Sequence, residues 1–370
     1  MRKSLLPLIL LFWAVAASGQ TILLQHPPRH YICYRTTTDI NIDGVPDEAD
    51  WAAVPWTDFF TDIEGDRQPA PHFKTRTKMM WDDNYLYIAA ELEEPHIWAT
   101  YTERESVIFH ENDFEVFIDP DGDTHNYFEL EVNALGTEWD LLLTKPYRFK
   151  GIPFNSWDIA GLKTGIHLDG TLNNPADKDN GWTVELALPW KILKDGTPNE
   201  SRPAGGDQWR INFSRVQWRL DVVDGKYVKT INPETGNPYP EYNWVWSPQW
   251  AINMHKPEYW GYLQFSDKKA GSGTDGFMAD PDTKIRILLR ELFDRQHQFA
   301  RKNKRFAASM EELNINDPIF KDFFVTFETT PKQFILSAKS ATPGYYWFIA
   351  SDSRIWKATE YNPAERLPWE

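Results

Sequence analysis

The feature that most constrains this chain is a series of short segments whose apolar residues recur at every second position. In YLYIAAEL (85–92), Leu86, Ile88, Ala90 and Leu92 fall on one side, and Tyr85, Tyr87, Ala89 and Glu91 on the other. In DFEVFID (113–119), Phe114, Val116 and Ile118 oppose Asp113, Glu115 and Phe117. In YFELEV (127–132), Phe128, Leu130 and Val132 oppose Glu129 and Glu131. Further along, GWTVELAL contributes Trp182, Val184, Leu186 and Leu188, and WRINFSRV contributes Trp209, Ile211 and Phe213. A period of two belongs to strands, because successive side chains of a strand leave opposite faces. Turns such as Asp82-Asp83-Asn84 and Asp121-Gly122 separate the segments. One-faced strands joined by tight turns predict a mainly β chain, an antiparallel β-sandwich of jelly-roll-like form.

Four phrases stand in order around these strands: DGVPDEADW (43–51), WDDNYLYIAAEL (81–92), DFEVFIDPDGD (113–123) and YFELEVNALG (127–136). Far downstream come WVWSPQW (244–250) and KPEYWGYLQFS (256–266). In order and spacing this set resembles the family 9 carbohydrate-binding modules, and the resemblance covers residues 39–266. It implies a secreted β-sandwich that binds a mono-, oligo- or polysaccharide without cleaving it. It also implies a role accessory to extracellular polysaccharide degradation, in association with the degrading enzymes.

Sugar binding requires aromatic faces that pack on the C–H faces of a pyranose, with planar polar groups for the hydroxyls. In the family two tryptophans sandwich the sugar; their places here fall on Phe109 and Met254. Trp98 and Trp250 lie close in sequence to those two and are the substitute platforms. Glu115 matches a sugar-contacting carboxylate of the family and Asn133 a family asparagine, while Glu131 stands where the family has an arginine. The alternative for each aromatic is a place in the core, and for the glutamates a solvated sheet face. Asp119, Asp121 and Asp123 form D-x-D-G-D on a tight turn. Alternating oxygen ligands on a turn suit Ca²⁺, and the resemblance implies structural calcium. The alternative is an acidic turn without metal, since no Glu follows at the twelfth position of an EF-hand pattern.

The formal net charge of -15 argues against nucleic acid and anionic membrane surfaces as partners, both of which require basic patches. Arg2 and Lys3, the apolar run 5–15 and Ala17-Ser18-Gly19 before Gln20 read as an export signal, so a periplasmic or extracellular protein is expected. No later stretch reads as a transmembrane segment. Cys33 is the single cysteine, so no intrachain disulfide forms. The sequence contains no G-x-S-x-G, H-E-x-x-H, Gly-rich phosphate loop or paired Cys. The sequence also admits two further readings. One is a glycoside hydrolase using two of Glu115, Glu129 and Glu131, for which a retaining pair stands about 5–5.5 Å apart. The other is a haem-binding electron-transfer domain with Met254 and His110 as axial ligands.

The expected organisation is a signal peptide (1–19), a polar leader (20–38), the sandwich (39–266), a flexible linker (267–283) and a small α+β unit (284–370). Irregular stretches interrupt the sandwich at 172–181 and 195–207. In the last unit Asp280-Pro281 is the expected helix start. Ile285, Leu288, Leu289, Leu292 and Phe299 form one apolar stripe, and Arg301, Lys302, Lys304 and Arg305 a basic end. Ser309 with Glu312 predicts a capping box for a second short helix. Strands are expected at 323–328, 333–339, 345–350 and 354–356.

Overall fold

The computed structural model describes residues 22–197, 201–315 and 317–359; the expected signal peptide, with its cleavage point before Gln20, lies outside the described residues. The sandwich strands are β1 (His30–Arg35), β2 (Thr61–Asp62), β3 (Thr75–Trp81), β4 (Tyr85–Glu93), β5 (Asp113–Asp119), β6 (Tyr127–Asn133), β7 (Glu138–Leu143) and β8 (Pro153–Phe154). They continue with β9 (Lys163–Asp169), β10 (Gly181–Pro189), β11 (Gln208–Gln217), the hairpin β12 (Leu220–Val223) and β13 (Lys226–Lys229), β14 (Tyr242–Val245) and β15 (Gly261–Lys269). Short helices α1 (Ile22–Gln25), α2 (Ala49–Ala53) and α3 (Trp190–Leu193) decorate them.

One mixed sheet runs β8-β7-β6-β5-β11-β15-β1-β3-β4-β10-β9, with β14 paired to β11 and β2 to β14. Every pair is antiparallel except those of β1, which runs parallel to both β15 and β3. The two halves close on a shared core. Phe114, Val116, Ile118, Phe128, Leu130 and Val132 from one half meet Leu86, Ile88, Ala90, Leu92, Val184 and Leu186 from the other. These are the residues that the alternation assigned to the inward face. Much of the tryptophan content is also core: Trp51, Trp81, Trp244, Trp246 and Trp260 are fully buried.

The expected leader is not separate from the sandwich. Residues 30–35 form β1, with Tyr31 and Cys33 in the main core and Tyr34 in a second cluster with Trp51, Met80 and Tyr87. HYICYR is too short and too evenly apolar for its alternation to stand out, yet it supplies the strand between the halves. The expected linker is also anchored: Gln264 Nε2 donates to Gly276 O and Gln208 Nε2 to Met278 O.

The C-terminal unit packs α4 (Thr283–Asn303) on a sheet ordered β16 (Val325–Thr329), β17 (Phe334–Lys339), β18 (Tyr346–Ala350) and β19 (Ile355–Ala358). Leu288, Leu289, Leu292 and Phe293 fill the contact against Phe334, Leu336 and Ile349. The helix begins after Asp282 rather than Asp280. The buried Asp282 carboxylate accepts from Ser340 Oγ, Ala341 N, Trp347 Nε1 and Lys357 Nζ, and so ties the helix start to the sheet. The second short helix does not form. Glu312 instead accepts from the Arg305 guanidinium and Ala308 N, which closes a turn. The unit docks on the sandwich through Arg354 to Asp123 (2.8 Å), Ile355 N to Asp123 O (3.1 Å) and Thr124 Oγ1 to Ser353 O (2.9 Å).

Candidate functional site

Antiparallel register determines which polar residues meet. Glu115 on β5 faces Glu131 on β6, Asp113 faces Asn133, and Phe117 faces Glu129. On the other side of β5, Ser214 of β11 faces Glu115. Asp113, Glu115, Glu129 and Glu131 therefore share one face, opposite to the core residues between them. That face is not solvated: Glu115 and Glu129 are each 5% exposed, Asp113 and Glu131 each 1%. One carboxylate oxygen each of Asp113, Glu115 and Glu131 lie within 4.8 Å of one another. Val216 N donates to Asp113 Oδ1 (3.2 Å) and Phe109 N to Glu131 Oε2 (2.9 Å). Asp113 Oδ2 and Glu129 Oε2 are buried without a hydrogen-bond partner, and the Ser214 hydroxyl sits against the Glu115 carboxylate.

Burial disfavours the charged forms, and the carboxylates repel one another. Asp113, Glu129 and Glu131 are pushed well above the ordinary carboxylate range by burial first and by neighbouring carboxylates second. Burial lifts Glu115 to about 7. The Tyr147 phenol, lifted to about 12 by burial, also feels the charges of Glu129 and Glu131.

Of the expected stacking residues, Phe109 is half-buried beside this cluster, its ring 6.3 Å from that of Trp139 at 31°. Trp218 Nε1 donates to Phe109 O (3.0 Å), and Lys229 Nζ sits 3.3 Å over the Trp218 ring. Trp139 faces Glu131 across the β6–β7 hairpin. Trp139 and Trp218, both half-buried, were not singled out by sequence; hairpin register counted back from Asn133 would have found Trp139. Met254 packs beside the buried Phe117, Tyr127 and Trp260, and Trp260 Nε1 donates to its carbonyl (2.9 Å). Trp98 is half-buried on the segment after β4, and the His110 ring lies 4.6 Å from that of Phe109.

Two expectations are corrected. Trp250 is 8% exposed and clusters with Leu23 and Tyr259, away from Phe109. Its ring lies 4.2 Å from that of His26 and is seated against Gly65, where any Cβ would stand 2.5 Å from it. This tryptophan serves packing. Asn133 is fully buried and its amide is saturated: Nδ2 donates to Tyr101 O (2.9 Å) and Glu111 Oε1 (2.7 Å), while Oδ1 accepts from Leu135 N and Thr137 N (both 3.0 Å). It closes the β6–β7 turn and has no donor left for a sugar hydroxyl.

The Asp119, Asp121 and Asp123 oxygens also lie within 4.8 Å of one another. Asp119 accepts from Gly122 N and Thr124 N, Asp121 from Asp123 N, and Asp123 from His125 N and Arg354 Nε. Asp119 and Asp123 are buried, and Asp121 is the exposed member of the three. The donor set fits a hard cation at the exposed Asp121 side, with Arg354 supplying positive charge on the other. Separately, a cleft of about 410 Å³ opens on the other half of the sheet, lined by Phe59, Arg76, Glu91, His167 and Asp169. Phe59 is 44% exposed there, and Arg76 pairs with Glu91 at 2.6 Å.

Among the described residues no helix is long and apolar enough to cross a membrane. Comparison with known proteins matches residues 42–209 to the family described as carbohydrate family 9 binding domain-like. Endo-1,4-beta-xylanase A of Thermoanaerobacterium saccharolyticum is 28% identical over 147 residues, 40% of this chain and 10% of that protein. Exoglucanase XynX of Acetivibrio thermocellus is 30% identical over 117 residues, 31% of this chain and 9% of that protein. The chain thus spans about a tenth of the length of these curated relatives. A family 9 carbohydrate binding module of Caldicellulosiruptor kristjanssonii, solved with cellotriose, aligns over 67% of this chain and all of its own at 16% identity and a TM-score of 0.41. Across residues 42–209 the sandwich is thus similar in sequence to the family described as carbohydrate family 9 binding domain-like.

Proposed function

We propose that this chain is an exported, non-catalytic carbohydrate-binding protein that assists extracellular polysaccharide degradation. The observation that carries the reading is the half-buried Phe109–Trp139 pair beside Glu115 and Glu131, inside the region that matches the family. An aromatic face packs on the C–H face of a pyranose, and carboxylate oxygens accept from its hydroxyls. The arginine that the resemblance leads one to expect is replaced by Glu131, so the site offers acceptors where the family offers donors. That exchange favours a ligand presenting several hydroxyl donors over one carrying carboxylates of its own.

A hydrolase needs a carboxylic acid and a carboxylate on either side of a glycosidic bond. Glu115 and Glu131 face one another across adjacent strands of one sheet face, beside each other rather than on the two sides of a bound sugar. Calcium at Asp119, Asp121 and Asp123 is a second part of the proposal, supported by the three clustered oxygens. The N-terminal charge and apolar run support export, to the periplasm or the medium.

Calorimetry and affinity electrophoresis against plant and algal polysaccharides and their oligosaccharides test the reading. Phe109→Ala is expected to weaken binding at least about tenfold, because the stacking face carries much of the contact. Phe59→Ala, in the separate cleft, is the comparator: loss there with Phe109→Ala unaffected would move the sugar to the other half of the sheet. No binding of any sugar at millimolar concentration would refute the reading outright.

A further inference from the structure

A small cavity of about 40 Å³ lies where the C-terminal unit meets the sandwich. Three guanidinium groups line it: Arg210 from β11, and Arg286 and Arg290, one turn apart on α4. Two of them have uncharged partners. Arg210 donates to the carbonyls of Trp260 (2.7 Å) and Glu258 (3.4 Å), and Arg290 to that of Ser353 (3.0 Å). Arg290 is 4% exposed, so its charge sits in the interior on a neutral acceptor. A charge held out of water without a counter-charge is costly.

The nearby carboxylates are already engaged. Glu258, the one that lines the cavity, takes Arg148 Nη2 on both oxygens, at 2.8 and 3.0 Å. Burial opposes its ionisation, yet Arg148, Arg290 and Lys256 draw its carboxyl down to about 2, which marks a local excess of positive charge. Asp119, across the strand pair from Arg210, accepts from Gly122 N and Thr124 N. Asp280 pairs with Arg286 Nη2 at 2.9 Å. Arg286 nevertheless keeps an unmet donor: its Nε is buried, and among the described residues no oxygen accepts from it. Thr283, at the positive end of a 21-residue helix, lines the same cavity.

We propose that this cavity is a site for one small anion, of halide size, held between the sandwich and the C-terminal unit by Arg210, Arg286 and Arg290. Guanidinium groups supply both charge and directed N–H donors to an anion. Size sets the class. One water-sized sphere needs about 10–15 Å³, so the cavity admits a halide ion and excludes a sugar, an organic phosphate or gluconate. A bound halide gives Arg210 and Arg290 a counter-charge, offers Arg286 Nε an acceptor, and joins residues of both units. It requires neither sugar nor calcium and stands apart from both of those readings.

The test uses the full exported chain with calcium chelated and no sugar present. Melting is followed as chloride replaces gluconate at fixed ionic strength. An ion that binds the native state alone stabilises it by mass action, so Tm is expected to climb with the logarithm of chloride above its dissociation constant. Arg286→Lys keeps a cation for Asp280 but removes the Nε donor and the planar fork. It is expected to need about tenfold more chloride for the same rise. Crystals grown in bromide are expected to show an anomalous peak within hydrogen-bond reach of Arg286 and Arg290. Equal melting in chloride and gluconate overturns the proposal. A chloride effect unchanged in Arg286→Lys also overturns it, because that is a bulk-salt effect. So does a cavity that holds only water at saturating bromide. The bromide crystal needs no variant, so a failure of Arg286→Lys to fold does not shelter the idea.

Discussion

Asn133→Ala separates a turn-closing role from a sugar-holding one. The amide makes four hydrogen bonds at 2.7–3.0 Å from a fully buried position. Each such bond contributes on the order of 1 kcal/mol, and one partner, Glu111, is itself a buried carboxylate that would lose a donor. Removal should therefore cost about 3–5 kcal/mol in total. For a unit of this size that is a fall in Tm of roughly 10 °C. Asn133→Asp retains the acceptors for Leu135 N and Thr137 N but places a carboxylate against Glu111, so it should fall at least as far. Differential scanning calorimetry and urea unfolding measure the loss. A Tm within a degree or two of the parent, with sugar affinity reduced, would refute the reasoning and return Asn133 to the binding surface.

Calcium added to the chelated protein should raise Tm in proportion to the logarithm of its concentration, and Asp121→Ala should remove the contribution of the turn site; a melt indifferent to chelator and calcium reduces Asp119–Asp123 to a self-capped turn. Phe109→Ala should lower sugar affinity at unchanged Tm, read by calorimetry and scanning together, and an equal loss from Phe59→Ala would sink that assignment. His255, pushed down to about 4 by burial and by Arg148, is neutral in the fold and takes a proton only with difficulty. Its stabilisation is complete above the unfolded value of 6.5 and is lost as pH falls towards 4, by up to about 1.4 kcal/mol per pH unit. His255→Gln should flatten that part of the stability curve, and an unchanged slope would contradict it. Glu115 has the opposite sign: raised to about 7, its contribution is present below its ordinary 4.5 and is lost as pH rises through 7 in the chelated protein.

The inward face of the sandwich was legible because it needs only local information. Phe114, Val116 and Ile118 point into the core for the same reason that they alternate with Asp113, Glu115 and Phe117. The meeting of Glu115 with Glu131 followed as soon as the two strands paired. What the sequence does not carry is the cover on the other face. Nothing in EVFID announces that Phe109 N–H will close over Glu131, or that Tyr147 and Met254 will come from distant loops to line the same side. An acidic strand face reads as solvated until those long-range contacts bury it. Trp250 failed for a related reason: its fate depends on α1 and on a glycine far away in sequence, Gly65. Asn133 matched a binding position in a pattern, but the turn to Thr137 takes two of its hydrogen bonds and the acceptors on Tyr101 and Glu111 take the other two.

β1 acts as a seam. Along the path of the sheet, β5, β6, β7, β8, β11 and β15 lie on one side of it and β3, β4, β9 and β10 on the other. Its partners on β15 run from Tyr262 to Lys269, so the strand made first waits for one of the last sandwich strands to be made. Pairings this distant in sequence form slowly, because the loop must close before the contact rewards it. The segment matched to the family, 42–209, contains neither β1 nor β15. A protein cut at those bounds would hold two half-sheets that share core residues but lack the strands that hydrogen-bond them into one sheet. The unit of resemblance and the unit of folding differ in this chain, and a truncation meant to keep its binding surface must begin before His30 and run past Lys269.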